Sequence, residues 1–468
     1  MNFLPLDRYG ILSVMNTTNK FPGMDDVLAG SVEAASVGTG SLAGTGAEGA
    51  RVEPPRLRRP DRLQMVLEPT CWEERLAADH PVRAVWAVVE RLDLSRISDG
   101  IAARGGRPGR AATDPRLMMA LWLYATIENV GSARRLANLC RMHDAYRWLC
   151  GGVTLNHHTL SDFRVDHEEA LDDLMTQVIA ALVAKKLVRV ERISQDGMRT
   201  RAGAGASSFR RQGTLERLLD EARSHVEAVK RQADEGPEES ARIRAARERA
   251  ARERVQRIEA ALSILPELQA VKSHRTGKPS KKQPARVSTT DAEARRMKMP
   301  GGGVRPAYNV QFATDVESRA IVGVDVVNTG SDQSQMEPMR QQVERRTGLH
   351  VKSQLVDGGF VKKEQIDLAA ANGTAVYAPL PTGRDGQPCV AGRHDSPAVA
   401  AWRQRMIEDQ GREIYKQRAA TAETVNAETS AYRGLSRFVV RGLKKVRCLA
   451  IWSALAYNVV HFAEHLSG

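Results

Sequence analysis

Three acidic residues carry the chemistry open to this chain: Asp196 in RISQDGMRTRA, Asp357 in QLVDGGF and Glu423 in YKQRAATAETVNAE. The first two follow short apolar runs that read as strands, and the third sits in a helix-forming stretch loaded with basic residues. Brought together by a fold, three carboxylates make an oxygen-rich pocket suited to hard divalent ions such as Mg²⁺ or Mn²⁺. Two such ions roughly 4 Å apart can clamp the attacking and leaving oxygens of a phosphodiester. Asp357 falls at the end of a buried-type strand, where open α/β sheets collect ligands, and the two glycines after it let backbone or substrate come close. Each motif alone has a plainer reading. Asp357 could cap the following helix, and Asp196-Gly197 could be a turn.

The chain around them is long and basic. Its 468 residues allow two or three domains, and its formal net charge of +13 points to a polyanionic partner, most simply nucleic acid. No apolar run is long enough to span a bilayer. The best, Cys448 to Phe462, reads as a buried C-terminal helix, so no membrane partner is expected. The N-terminus lacks the layout of a secretory signal. Five scattered cysteines without a C-x-x-C pair argue for a reducing compartment and against a disulfide framework or zinc finger.

Residues 1–65 are rich in Gly, Ala, Ser and Thr without periodicity and read as a disordered leader. Residues 66–188 turn helical: Val82, Val85, Trp86, Val89 and Leu92 share a face, and Thr113-Asp114-Pro115 starts another helix. A long helix is expected from Thr159 through Leu182. Exposed Arg134, Arg135, Arg141, Arg147 and Arg164 on short helices suit a helical DNA-binding domain, and equally a bundle with a solvated basic face. A fragment ending near Val188 is then expected to bind DNA without cutting it. From 189 to 465 strand signals at 189–203, 307–313, 320–327, 351–356 and 375–378 alternate with helices, giving an α/β pattern around a mixed sheet. Charge-dense segments at 214–233 and 240–265, separated by Gly236-Pro237, read as a helical hairpin inserted at about 205–286, followed by a flexible basic linker at 272–286.

Several blocks in a fixed order give this pattern a likeness. QDGMRTRA, TTDAEARRMKM followed by RPAYNVQFATD, NTGSDQSQM, LVDGGF, and YKQRAATAETVNAE with RGLSRFVVRGLKKVR together resemble the DDE transposases of bacterial insertion sequences over roughly residues 66–465. The resemblance implies a ribonuclease-H-like mixed sheet with flanking helices, an all-α N-terminal transposase domain, and Asp196, Asp357 and Glu423 as a catalytic triad holding two Mg²⁺ or Mn²⁺ ions. Tyr415, Arg418 and Glu423 match the Tyr–Arg–Glu element of that family. Where the family continues with a basic residue seven positions after the glutamate, this chain has Ser430. On an ideal helix Lys416, Glu423 and Ser430 share one stripe, so the DNA-contacting task could pass to Lys416. Glu428 is the rival third acid.

Arg199 and Arg201 could grip the DNA backbone, or line a solvated strand edge, and Arg441, Lys444 and Lys445 belong to a basic run suited to phosphate. Asp291 and Asp332 read as turn or capping residues. The function this implies is transposition: recognition of an element's terminal inverted repeats, metal-dependent cleavage and strand transfer on double-stranded DNA, by a homo-oligomer in the cytoplasm at the nucleoid. The alternatives are an inactive, transposase-derived DNA-binding regulator and a metal-dependent nuclease of the same fold.

Overall fold

The computed structural model describes residues 69, 71–101, 111–235, 241–276, 284–383, 386–392 and 394–467. The expected leader and the Gly236-Pro237 turn lie outside these residues. The chain opens with helices α1 (Pro81–Arg91), α2 (Ser95–Asp99), α3 (Pro115–Ile127), α4 (Ala133–Met142), α5 (Asp144–Cys150), α6 (His157–Asp166) and α7 (Glu168–Ala184). Side-chain caps explain several starts. His80, Asp114, Ser132 and Asn156 each accept a backbone N–H of the first turn that would otherwise lack a partner. The single helix expected from Thr159 to Leu182 is in fact two. His167 leaves helical geometry between α6 and α7 and sets its ring edge-on against Phe163, 5.0 Å between centroids.

β1 (Arg192–Arg201) then leads to β2 (Phe209–Arg210), the long helices α8 (Gln212–Glu235) and α9 (Ala241–Thr276), and β3 (Val287–Ser288). The pair β2–β3 clamps the base of this arm, and Leu215, Ala222, Ile258, Ala261 and Leu265 give it a small core of its own. The helix overruns the linker expected at 272–286 as far as Thr276.

Next come β4 (Arg295–Lys298), β5 (Val304–Asp315), β6 (Ile321–Val327), α10 (Met336–Thr347), β7 (Ser353–Leu355), α11 (Lys363–Ala371) and β8 (Ala375–Tyr377). The chain closes with α12 (Pro397–Ile407), α13 (Asp409–Arg418), a π turn (Ala419–Glu423), α14 (Thr424–Tyr432) and α15 (Leu443–Ser467). The sheet runs β4-β5-β1-β7-β8, with β6 also paired to β5. β5 is long enough for β4 and β6 to share its outer edge, β4 against Val304–Ala307 and β6 against the stretch from Asn309 to Thr314. β5 is antiparallel to β1, whereas β7 and β8 run parallel to β1, so the sheet is mixed. The class is mixed α/β, as expected. β4 carries a strongly charged sequence and gave no strand signal. It is admitted as an edge strand whose Met297 alone is buried.

One apolar core joins the leading helices to the sheet. α15 is its axis: Leu449, Ile451, Trp452, Leu455, Tyr457 and Val459 are buried among α1, α3, α7 and β6. Asn458 clasps the first residue of β6 on both sides, accepting from the Ile321 N–H (2.9 Å) and donating to the Ile321 carbonyl (2.8 Å). By length and composition this helix could cross a membrane, but 72% of its apolar window is buried inside the protein.

Candidate active site

The parallel register of β1 and β7 decides where the two aspartates meet. Ser194 stands opposite Leu355, so two residues further along each strand Asp196 and Asp357 come level at the centre of the sheet. Asp357 sits just past the end of β7, where its Oδ1 accepts from the Gly359 N–H at 2.8 Å. Asp196 is deeper, with its side chain 16% exposed. Its Oδ1 takes the Arg418 guanidinium at 2.9 Å and its Oδ2 takes the Asn426 amide at 2.9 Å. Burial raises the Asp196 pKa above the ordinary carboxylate range and the Asp357 charge adds to that, against the pull of Arg418.

Glu423 reaches this place only through Arg418. The guanidinium, 11% exposed, lies between Asp196 and Glu423, with its second nitrogen 3.3 Å from Glu423 Oε1. Burial alone would lower the Arg418 pKa. The surrounding Asp196, Tyr415, Asp357 and Glu423 outweigh it and raise the value. Glu423 itself is 61% exposed, at the end of the π turn. That turn inserts a wider coil into the helix just before the acid, and such bulges recur at functional sites. It also breaks the ideal stripe expected to run from Lys416 to Glu423. Lys416 stands exposed, paired with Glu413. The rival acid Glu428 turns elsewhere, accepting from Arg433 (2.8 Å) and from His461 (2.9 Å).

The remaining expected residues fall in two groups. Tyr415 is half-buried near the acids, and burial raises its pKa. Arg199 is not a free strand edge: it donates to the Gly330 carbonyl (3.0 Å) and lies 3.6 Å from Asp332. Arg201 ends β1, where its carbonyl accepts from the Phe438 N–H at 2.9 Å, tying the start of the basic run to the sheet. Arg441, Lys444 and Lys445 are exposed at and before the first turn of α15.

Two residues at the site carried no sequence signal for it. Asn426 lies three residues past Glu423, hence on nearly the same helix face. Asp332, expected in a turn, does cap one with its carbonyl, but its carboxylate is buried beside Gly197 and Gly359. Asp291 does act as a cap. It accepts the Tyr308 hydroxyl (2.7 Å) and the Gly442 backbone ahead of α15.

The donors suit a hard divalent cation: two level carboxylates, a third one side chain away, and the Asn426 Oδ1, which is buried with no hydrogen-bond partner among the described residues. As arranged, though, the Arg418 guanidinium supplies the positive charge between Asp196 and Glu423. Among the described residues no three His, Cys, Asp or Glu side chains stand close enough to hold one metal ion.

Two family models match the chain. A transposase domain (DUF772) matches residues 70–166, across α1 to α6, and a transposase DDE domain matches residues 389–463, across α12 to α15 with Tyr415, Arg418 and Glu423. Together they support a DDE transposase of an insertion sequence. Asp196 and Asp357 lie between the two matched segments. Neither a curated protein nor a solved structure matches the chain.

Proposed function

We propose that this transposase binds the terminal inverted repeats of its own element and performs divalent-metal-dependent cleavage and strand transfer, with Asp196, Asp357 and Glu423 as its catalytic acids. The observation that carries the reading is the parallel β1–β7 pair, which sets Asp196 level with Asp357 while Arg418 links Asp196 to Glu423. Acid-bearing neighbouring strands in a mixed sheet, with helices packed on it, support a ribonuclease-H-like catalytic domain over residues 189–465. Residues 66–188 are then the helical DNA-binding domain.

Asp196 and Asp357 would hold two Mg²⁺ or Mn²⁺ ions, with Glu423 joining once Arg418 turns away. The ions would supply positive charge against the crowded phosphorus centre and a lower pKa for the attacking water. Asn426 holds Asp196 Oδ2 and so fixes the plane of that carboxylate. Arg418, released toward DNA, is placed to pair with a backbone phosphate, as Arg441, Lys444 and Lys445 are on the adjoining surface. Strand transfer needs two ends together, which implies a homo-oligomer on double-stranded DNA, acting in the cytoplasm at the nucleoid.

The test is incubation of the full chain with end duplexes and Mg²⁺ or Mn²⁺. Cleavage at the end followed by joining supports transposition, and cleavage without joining supports a nuclease. Binding without either supports a DNA-binding regulator, a reading that the present pairing of Arg418 with two of the acids favours.

Two substitutions probe the helix that carries Glu423. Arg418→Gln removes the charge that holds the Asp196 pKa down, leaving burial and Asp357 to raise it further. The acidic limb of the pH–kcat/KM profile, which reports the free enzyme, should therefore move to higher pH. An unmoved limb would show that Asp196 ionisation does not govern the rate. Ser430→Arg adds a cation seven residues beyond Glu423, within the regular turns of α14. The slope of log K against log salt should steepen by about one unit, one phosphate's worth. An unchanged slope in a folded variant would remove this helix face from the DNA interface.

A further inference from the structure

We propose that Asp332 is a positioning residue of the cleavage site, which fixes the strands bearing Asp196 and Asp357 through a chain of buried side-chain amides and holds Arg199 beside them. The inference rests on the cleavage function proposed above. Gln354 on β7, Gln195 on β1 and Gln311 on β5 lie on one face of three neighbouring strands, each diagonal to the next, all fully buried. The Gln354 amide donates to the Gln195 oxygen at 2.7 Å, and the Gln195 amide donates to the Gln311 oxygen at 3.1 Å. The Gln311 amide then donates to Asp332 Oδ1 at 2.6 Å, and the Asn309 amide donates to the same oxygen, also at 2.6 Å.

Each glutamine in the middle of this chain accepts with its oxygen and donates with its nitrogen, so the chain has one direction. It ends on a carboxylate, one oxygen of which takes two amides at once while the other faces Arg199, so both oxygens meet donors. Asp332 therefore orients every amide before it. Its carbonyl also anchors the turn at Gln335, whose own carbonyl accepts from Gln195 at 2.9 Å.

This chain runs alongside the site. Gln195 immediately precedes Asp196, and Gln354 lies three residues before Asp357. A slip of either strand would break a buried amide bond, and a partly broken buried network is costly. The other oxygen of Asp332 faces Arg199 and Gly359. A methyl group built at Gly359 would lie 3.7 Å from that oxygen and 3.0 Å from Asp357 Oδ1, so both carboxylates border the same small space. Gly197, next to Asp196, is required on the same grounds. A methyl group there would fall 2.4 Å from Asp332 Oδ1 and 2.5 Å from the Gln311 amide nitrogen.

The experiment compares full-length wild type, Asp332→Asn and Gln354→Met for thermal unfolding, for Mn²⁺ binding by electron paramagnetic resonance with an end duplex present, and for kcat and KM of cleavage. Asp332→Asn keeps the shape but loses the charge, and its amide nitrogen must face either the Gln311 and Asn309 amides or Arg199, donor against donor in each case. It should stay folded, lose roughly 10- to 100-fold in kcat with weaker Mn²⁺ binding, as outer partners of a metal site do, and keep its KM for DNA. Gln354→Met, at the far end of the chain, should show a smaller loss of the same kind, and it decides the matter if Asp332→Asn does not fold. Unchanged kcat and Mn²⁺ binding in a folded variant would overturn the role of Asp332 alone. So would a loss confined to KM, which would mark Asp332 as a support for DNA contact through Arg199. A wild type that cuts no duplex with either cation would sink the proposed function and this role together.

Discussion

Asp357→Asn should abolish divalent-cation-dependent cleavage of end DNA while leaving folding and DNA binding near wild type. The substitution is clean because of what Asp357 touches: among the described residues its Oδ1 accepts only the Gly359 N–H of its own turn, and an asparagine oxygen can accept the same bond. What is lost is the negative charge that a hard cation requires. Cation stabilisation of a transferring phosphoryl group amounts to several kcal/mol, so the rate should fall on the order of 10³-fold, at 1.36 kcal/mol per tenfold. Asp196→Asn would be a less clear test, because Asp196 also holds Arg418 and Asn426 and its loss would rearrange both. Single-turnover cleavage by the Asp357→Asn protein, alongside a gel-shift titration, separates the two effects. A wild-type rate would remove Asp357 from the catalytic acids.

The parts of the fold that sequence could show are those written in local pattern. β1, β5, β6, β7 and β8 all fall where apolar alternation or continuous apolar runs placed them, because a strand buried on one or both faces must carry that pattern. The helix start at Asp114 follows from a side chain that can cap. What stayed hidden depends on partners far along the chain. β4 is charged and becomes a strand only because β5 has spare edge. The break at His167 and the π turn before Glu423 are choices made by packing, since the intervening residues are all compatible with an unbroken helix.

The site divides the same way. The order and setting of Asp196, Asp357 and Glu423 singled them out as acids, and the parallel register shows how the first two meet. That Arg418 would sit between Asp196 and Glu423, and that the Asp332 carboxylate would accept from Asn309 and Gln311 beside Gly197, depends on residues brought together from distant parts of the chain. No residue spacing encodes them. Asp332 in particular looks like any turn aspartate, because its carbonyl does close a turn while its carboxylate does something else.

A fragment ending near Val188 should fail to fold, contrary to the expectation from sequence that it would bind DNA alone. The leading helices do not enclose their own core. α15 fills it from the far end of the chain, burying Leu449, Ile451, Trp452, Leu455, Tyr457 and Val459 against α1, α3, α7 and β6. Its polar contacts cross the same boundary. The Trp452 indole donates to the Arg164 carbonyl (3.0 Å), and Arg447 joins Glu168 of α7 to Asp325 of β6, 2.9 Å to each. Leaving large apolar side chains exposed costs about 1.5–3 kcal/mol each. Six such losses are as large as the roughly 5–15 kcal/mol by which whole domains are stable. The fragment should therefore aggregate or show helical signal without a cooperative melt, while the full chain melts cooperatively. A sharp melt and a sequence-specific gel shift from the 188-residue fragment would mean that the leading helices find a core without α15. Recognition would then be separable from catalysis, as the amino-acid pattern alone suggested.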